Sequence, residues 1–288
     1  MYYFLYSLNV LLMLALPLAL GTVIARRRSA RWALFAIGAA TFVGSQLFHL
    51  PFNWLVDSAG VLPDPEASRR NLLVVALFAG LSAGFFEEVA RYLAYRFWAR
   101  DARSWGAGLM LGAGHGGVEA LLLGLVAAIN VAFVFGFRHG YFTGIIPQEA
   151  VPLVQEQVTA FFSAPYYQTV LGAAERLFAL WVHLSLSLLV MQVFARGRFF
   201  WLLLAIGWHA LLDAVAVYGS VSWGIEVTEA LVGLVALLSL GIIWRLYEPL
   251  PGREEPATRR NDWEPPRLGR EDVELEITAE RLEESRYR

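Results

Sequence analysis

The chain is patterned as a series of long apolar runs joined by short polar segments. Each run has about the 20 residues that an α-helix needs to cross a bilayer. The runs lie near residues 3–25, 32–56, 72–99, 105–137, 167–195, 199–219 and 224–247. The pattern therefore predicts an all-α fold, a polytopic transmembrane helical bundle of about seven spans.

Two of the runs have unusual features. Residues 105–137 are long for one helix, so Gly112, Gly114, Gly116 and Gly117 mark a bend, or else the last turns project beyond the bilayer. The first run lacks the basic leader and the cleavage site of a signal peptide. We expect it to be retained as a span.

Arginine placement predicts the orientation of the bundle. Arginines follow spans one, three, five and seven, which lie on one side if the spans alternate: Arg26, Arg27, Arg28, Arg31, Arg100, Arg103, Arg196, Arg198 and Arg245. The opposite loops offer mainly Arg69, Arg70 and Arg138. The positive-inside rule then places the N-terminus outside and the C-terminus in the cytoplasm.

Composition supports a membrane protein and excludes some functions. The 288 residues are 57% hydrophobic and 17% charged, with a mean hydropathy of +0.51. Without cysteine the chain forms no disulfide or thiolate metal site, and a net charge of −2 gives no sign of nucleic-acid binding. We expect a transmembrane domain over residues 1–247 and a disordered, charged cytoplasmic tail over 248–288, with a short helix near 273–284.

Residues 138–166 form the one sizeable external loop in this prediction. Val151, Val154, Val158 and Phe161 recur at helical spacing beside polar residues. The segment is interpreted as a surface helix at the membrane interface or as a gate over a cavity.

Acids, histidines and arginines lie within four of the apolar runs. Charged groups near the bilayer centre are costly, so they usually line a functional cavity. In the third run Glu87 and Glu88 lie four and three residues before Arg91, and either carboxylate can pair with the guanidinium. We expect one glutamate to be held ionised by Arg91 while the other faces the cavity, an arrangement suited to acid/base chemistry.

The other polar groups follow on later spans. His115 and Glu119 share a helix face with the glycine ridge, which permits close approach of another helix. Arg176 and His183 face one way, with Glu175 on the adjoining face. The four-residue spacing of His209 and Asp213 lets the carboxylate orient the imidazole. Gln46, His49 and Asn53 on the second span are interpreted as lining or packing groups.

In order along the chain, these motifs resemble those of the glutamic-type intramembrane proteases. This superfamily includes CAAX prenyl proteases, bacteriocin-processing enzymes, PrsW proteases and the YhfC family. The resemblance covers a core of about residues 72–215, and the span count suits the YhfC family best. The match rests on Glu-Glu-x-x-Arg (87–91), His-Gly-Gly-x-Glu (115–119), the Glu175-Arg176 pair followed by His183, and His-x-x-x-Asp (209–213).

The resemblance implies a role for each residue. Glu87 would be the general base that activates water, with Glu88 and Arg91 as neighbours, and spacing does not decide between the two glutamates. His183 and His209 would position the water or stabilise the oxyanion, with support from Asp213. His115, Glu119, Glu175 and Arg176 would be supporting cavity residues. The spacing of Glu87 to Arg91 and the presence of Asp213 depart from the CAAX branch, which disfavours prenylprotein processing.

The resemblance therefore implies an intramembrane glutamic-type peptidase with no metal or other cofactor, in a prokaryotic plasma membrane. Its partners would be a membrane-protein or peptide substrate and the lipid bilayer, with no nucleic acid, and the oligomeric state is left open. Three alternatives remain. The cluster contains competent zinc ligands, although His-Glu-x-x-His is absent. It also suits an ion- or proton-coupled transporter or an inactive membrane scaffold.

Overall fold

The computed structural model describes residues 1–142 and 144–247. Its α-helices are α1 (Tyr2–Arg28), α2 (Trp32–Ser58), α3 (Arg69–Phe97), α4 (Trp105–Arg138), α5 (Val151–Ser163), α6 (Leu171–Ala195), α7 (Phe200–Ser222) and α8 (Ile225–Arg245). Short 3-10 turns precede α5 (Gln148–Ala150) and α6 (Tyr166–Val170).

Seven of these helices, all except α5, are long and apolar enough to cross a membrane within the described ranges. The prediction of an all-α, seven-span bundle is therefore confirmed. The orientation of the termini stays a prediction. The predicted tail over 248–288, with its short helix near 273–284, lies outside the described residues.

Helix α6 is the central helix of the bundle. In the most apolar part of its span 72% of the residues are buried, against 28–44% in the other six spans. It contacts α1, α3, α4, α7 and α8. Polar side chains of α6 such as His183, Ser187 and Gln192 are thus buried among the surrounding helices.

The glycines of α4 mark close helix contacts. The helix is continuous for 34 residues, about 51 Å at 1.5 Å per residue. A Cβ on Gly112 would lie 2.7 Å from His183 O on α6, and one on Gly114 would lie 2.0 Å from Phe35 O on α2. The helix is not interrupted at these glycines, and it is long enough for its last turns to project beyond the bilayer.

The surface helix α5 packs against the ends of α1 and α4. Val158 forms a small apolar cluster with Val134 and Phe137, and the rings of Tyr6 and Phe161 stack with centroids 3.8 Å apart. Among the described residues, no side chain of α5 lines the polar cavity. This packing favours the interfacial interpretation over the gate.

Candidate functional site: a buried carboxylate and histidine cluster

Glu87 and Glu88 project from α3 into different surroundings. Glu88 accepts a hydrogen bond from Arg91 Nη1, and both side chains are fully buried. Glu87 instead lines a cavity, where Gln46 Nε2 donates to its Oε1 at 2.9 Å. The expected division between the two glutamates thus places Glu88 in the ion pair and Glu87 toward the cavity.

Close packing of α3 on α7 brings His209 to these carboxylates. A Cβ on Gly80 would lie 2.3 Å from Ala210 O, so only glycine fits this contact. His209 Nδ1 lies 2.8 Å from Glu88 Oε1. Because an ionised carboxylate only accepts hydrogen bonds, Nδ1 carries the hydrogen. His209 Nε2 then faces Glu87 Oε2 at 3.8 Å and Asp213 Oδ2 at 3.6 Å.

Thr41 on α2 fixes the orientation of His115 on α4. The Thr41 hydroxyl donates to Gly38 O at 2.6 Å, so it accepts from His115 Nδ1 at 2.8 Å. His115 Nε2 is therefore directed toward Glu87 Oε2, 2.9 Å away, and these two atoms share one hydrogen. Sequence analysis missed Thr41, because a threonine in an apolar span carries no motif.

His183 on α6 is held from both sides. Its Nε2 donates to Glu119 Oε2 at 2.7 Å, and its Nδ1 accepts from Arg91 Nη2 at 3.2 Å. Arg176 in turn donates to Glu119 Oε1 at 2.6 Å and to Glu175. The supporting residues predicted on α4 and α6 thus form one network around this imidazole.

A hydrogen-bond chain runs along α2 to Glu87. His49 Nε2 lies 2.9 Å from Asn53 Nδ2 and 3.1 Å from Ser82 Oγ, and His49 Nδ1 lies 3.3 Å from Gln46 Oε1. Gln46 then donates through Nε2 to Glu87. These three residues, interpreted from sequence as lining or packing groups, orient Glu87.

The polar groups surround a cavity of about 500 Å³. Seven of the ten residues singled out on α3–α7 line it directly, together with Gln46 and His49: Glu87, Glu119, Glu175, Arg176, His183, His209 and Asp213. Glu88, Arg91 and His115 lie behind this wall and contact it through the bonds described above. The structure thus brings all ten together.

Three groups within the cluster could hold a metal ion. Glu87, His115 and His183 each present one ligand atom, and these atoms lie within 4.8 Å of one another. Imidazole nitrogen and carboxylate oxygen are ligands that zinc takes in proteins. The bond from Thr41 leaves His115 Nε2 free to ligate, as outer partners of metal-bound histidines commonly do. The residue types therefore fit a metal. Because His183 Nε2 donates to Glu119, the ligating atom of His183 would be Nδ1, which would exchange its hydrogen bond from Arg91 for the ion.

Comparison with known proteins identifies relatives. The sequence model of a family described as YhfC intramembrane metalloprotease matches residues 12–237. The "Uncharacterized membrane protein YhfC" of Bacillus subtilis (strain 168) is 34% identical over 235 residues, which cover 78% of this chain and 88% of the relative. No solved structure matches the chain significantly. The predictions of a multi-pass membrane protein and of a resemblance to the YhfC family are confirmed. The family description, however, names a metalloprotease and not a glutamic peptidase.

Proposed function

The chain belongs to the YhfC family, and we propose that it is a metal-dependent intramembrane protease. Its substrates are membrane-associated polypeptides, and its metal, with zinc as the first choice, is held by Glu87, His115 and His183. The family description, intramembrane metalloprotease, supports this assignment over the metal-free expectation.

One observation carries the proposal. The donor atoms of Glu87, His115 and His183 converge within 4.8 Å in a buried site beside the cavity. His115 already has its ligating nitrogen directed inward by Thr41. Buried polar groups of this kind are costly in a membrane protein and usually serve a function.

The chain's own residues can perform the rest of the hydrolysis. A bound divalent ion supplies Lewis acidity, which activates water and polarises a carbonyl. His209 Nε2 faces the cavity between Glu87 and Asp213, so it can carry a proton toward a leaving amine. Glu88 holds the imidazole in the required tautomer, and Gln46 fixes the Glu87 carboxylate.

A metal-free glutamic mechanism is the second candidate. It is favoured by the direct contact of Glu87 Oε2 with His115 Nε2 at 2.9 Å and by the Arg91 guanidinium at His183 Nδ1. In this mechanism Glu87 draws the proton from water, and His183 and His209 stabilise the oxyanion. The two candidates share a cavity and a substrate class but differ in metal dependence.

Metal content and proteolysis measured on the same preparations test the proposal. Purified protein in liposomes would be analysed for bound metal and for cleavage of labelled transmembrane peptides, beside Glu87→Gln and His115→Ala. The matched control is His139→Ala, an exposed histidine at the end of α4. We expect stoichiometric metal in the wild type and control, loss of metal in both site variants, and cleavage that stops with chelator and returns with zinc.

The other outcomes each select an alternative. Cleavage by metal-free protein that resists chelation and still requires Glu87 would replace the metal-dependent mechanism with the glutamic one. A protein that cleaves no peptide but passes protons or cations across the same liposomes would be a transporter. A folded protein with no metal, cleavage or flux would be a scaffold.

A further inference from the structure

The mouth of the cavity can be located from the exposure of its wall. Within the described ranges, the lining residues of the cavity are mostly buried or half-buried. The exposed ones are three leucines: Leu50 (61%), Leu122 (46%) and Leu123 (42%). All three lie on α2 and α4, so the cavity has an apolar opening between these two helices. A separate exposed part of the wall is Glu175 on α6, whose side chain is 42% exposed.

Helices α2 and α4 are in tight contact on one side of this opening. A Cβ on Gly38 would lie 2.1 Å from Leu111 O, and Thr41 is hydrogen-bonded to His115. Leu50 lies nine residues beyond Thr41 and Leu122 seven beyond His115, about 10–14 Å further along each helix. The cavity lies between the two helices beyond the Thr41–His115 bond, where Gln46, His49 and Leu50 on α2 and Glu119, Leu122 and Leu123 on α4 line it; we refer to this region as the α2–α4 gap.

The gap lies inside the membrane-spanning segments. Leu50 precedes the end of α2 by eight residues, and Leu122 and Leu123 are near the middle of α4. Exposed apolar side chains flank the rim on both helices, including Leu47 on α2 and Val126 on α4. An apolar surface of this kind faces acyl chains and not water.

We propose that the α2–α4 gap, defined by Leu50, Leu122 and Leu123, is a lateral opening through which an apolar, membrane-spanning segment of a protein substrate reaches Glu87. The proposal rests on the proposed protease function and names the substrate class of that site. An apolar segment contacts the leucine rim without losing hydrogen bonds to water, whereas a hydrophilic peptide has no polar partner on the rim. The groups that can bind an exposed peptide backbone, Gln46 and Asp213, are inside the cavity.

Cross-linking tests the gap, because the chain has no cysteine of its own. Leu50→Cys with Leu122→Cys would be bridged by a bifunctional maleimide with a reducible spacer, in liposomes that contain a labelled peptide with one apolar membrane-spanning segment. The matched control is Phe48→Cys with Phe85→Cys, which are exposed residues that line an apolar groove between α2 and α3. We expect the α2–α4 bridge to abolish cleavage, reduction to restore it, bound metal to be unchanged, and the control bridge to leave cleavage intact.

Photo-cross-linking gives a readout that does not need proteolysis. A photoreactive maleimide on Leu122→Cys, in protein that also carries Glu87→Gln, should capture the membrane-spanning peptide, and the same reagent on Phe48→Cys should not. If the peptide is captured from position 122 and not from position 48, but the wild-type protein cleaves no peptide, the lateral opening would be supported and the protease function refuted. Full cleavage by the bridged protein, or capture from position 48 and not from 122, would overturn the opening while leaving the protease function intact.

Discussion

The cavity contains two histidines that are each held by a glutamate and an arginine, and the two arrangements differ in burial. In the inner triad Arg91 pairs with Glu88, which orients His209, and both charged side chains are 0% exposed. In the outer triad Arg176 pairs with Glu119, which orients His183, and the carboxylate is 20% exposed. The same chemistry thus occurs in a dry and in a partly wet environment.

Because the two triads differ in burial, we expect them to contribute differently to stability and to catalysis. A fully buried ion pair that loses one partner leaves an uncompensated charge without water. A partly exposed pair can recover solvation when it is broken, so its loss costs less free energy of unfolding. We therefore expect the inner triad to be needed for folding and the outer triad to be needed mainly for the position of His183.

The largest effect is expected for Arg91→Met. Removal of the guanidinium strands Glu88 in a dry site and should cost roughly 3–5 kcal/mol of unfolding free energy. Thermal unfolding of detergent-solubilised protein would measure it. The double variant Arg91→Met with Glu88→Gln should recover part of the loss, and an unchanged melting temperature in the single variant would contradict the inner triad.

The next effect is expected for Glu119→Gln. The amide no longer carries the charge that holds His183 and Arg176, so metal affinity or activity should fall about 10–100-fold, as for other partners of metal-bound histidines. Arg176 keeps its contact with Glu175, so the melting temperature should change little. A metal titration and a melting curve on the same sample would measure the affinity and the stability. A large loss of stability with normal metal affinity would contradict the expectation that the outer triad serves mainly to position His183.

Thr41→Val tests whether the neutral Thr41 hydroxyl orients His115, as the carboxylates of the two triads orient His209 and His183. The substitution preserves the shape of the side chain but removes the acceptor for His115 Nδ1. We expect metal affinity to fall about tenfold, and Thr41→Ser should restore it. Equal affinity in Thr41→Val and wild type would show that the tautomer of His115 is set by another group.

The smallest effect is expected for Glu175→Gln. Its side chain is 42% exposed, and exposed ion pairs contribute about 0–1 kcal/mol. Metal content, cleavage and melting temperature should all stay close to wild type, because Arg176 retains Glu119. A strong loss of cleavage would instead place Glu175 in contact with the substrate.

The sequence predicted the helices and the members of the cluster, because both depend on local pattern. Apolar length defines the spans, and charges within a span must face a protein interior. Helical spacing also showed that Arg91 could reach either glutamate. Spacing could not choose Glu88, since that choice depends on which face of α3 meets α7.

Contacts between helices account for what the sequence could not provide. Thr41 reaches His115 because Gly38 lets α2 approach the α4 backbone, and neither residue has a motif that would indicate this pair. The metal-free expectation came from the resemblance to glutamic-type proteases, and the pattern within single spans could not test it. The convergence of Glu87, His115 and His183 joins α3, α4 and α6, which is a property of packing and not of any one span.

The glycine contacts of α4 have a consequence for how the cluster responds to its surroundings. At Gly112 and Gly114 the neighbours are main-chain atoms of α6 and α2, so the distances between these helices are set by backbone touching backbone. Such contacts do not relax by changing a rotamer. The spacing of His115, Thr41 and His183 should therefore be insensitive to the thickness or headgroup composition of the surrounding lipid, and solubilisation that preserves the bundle should also preserve the dimensions of the site.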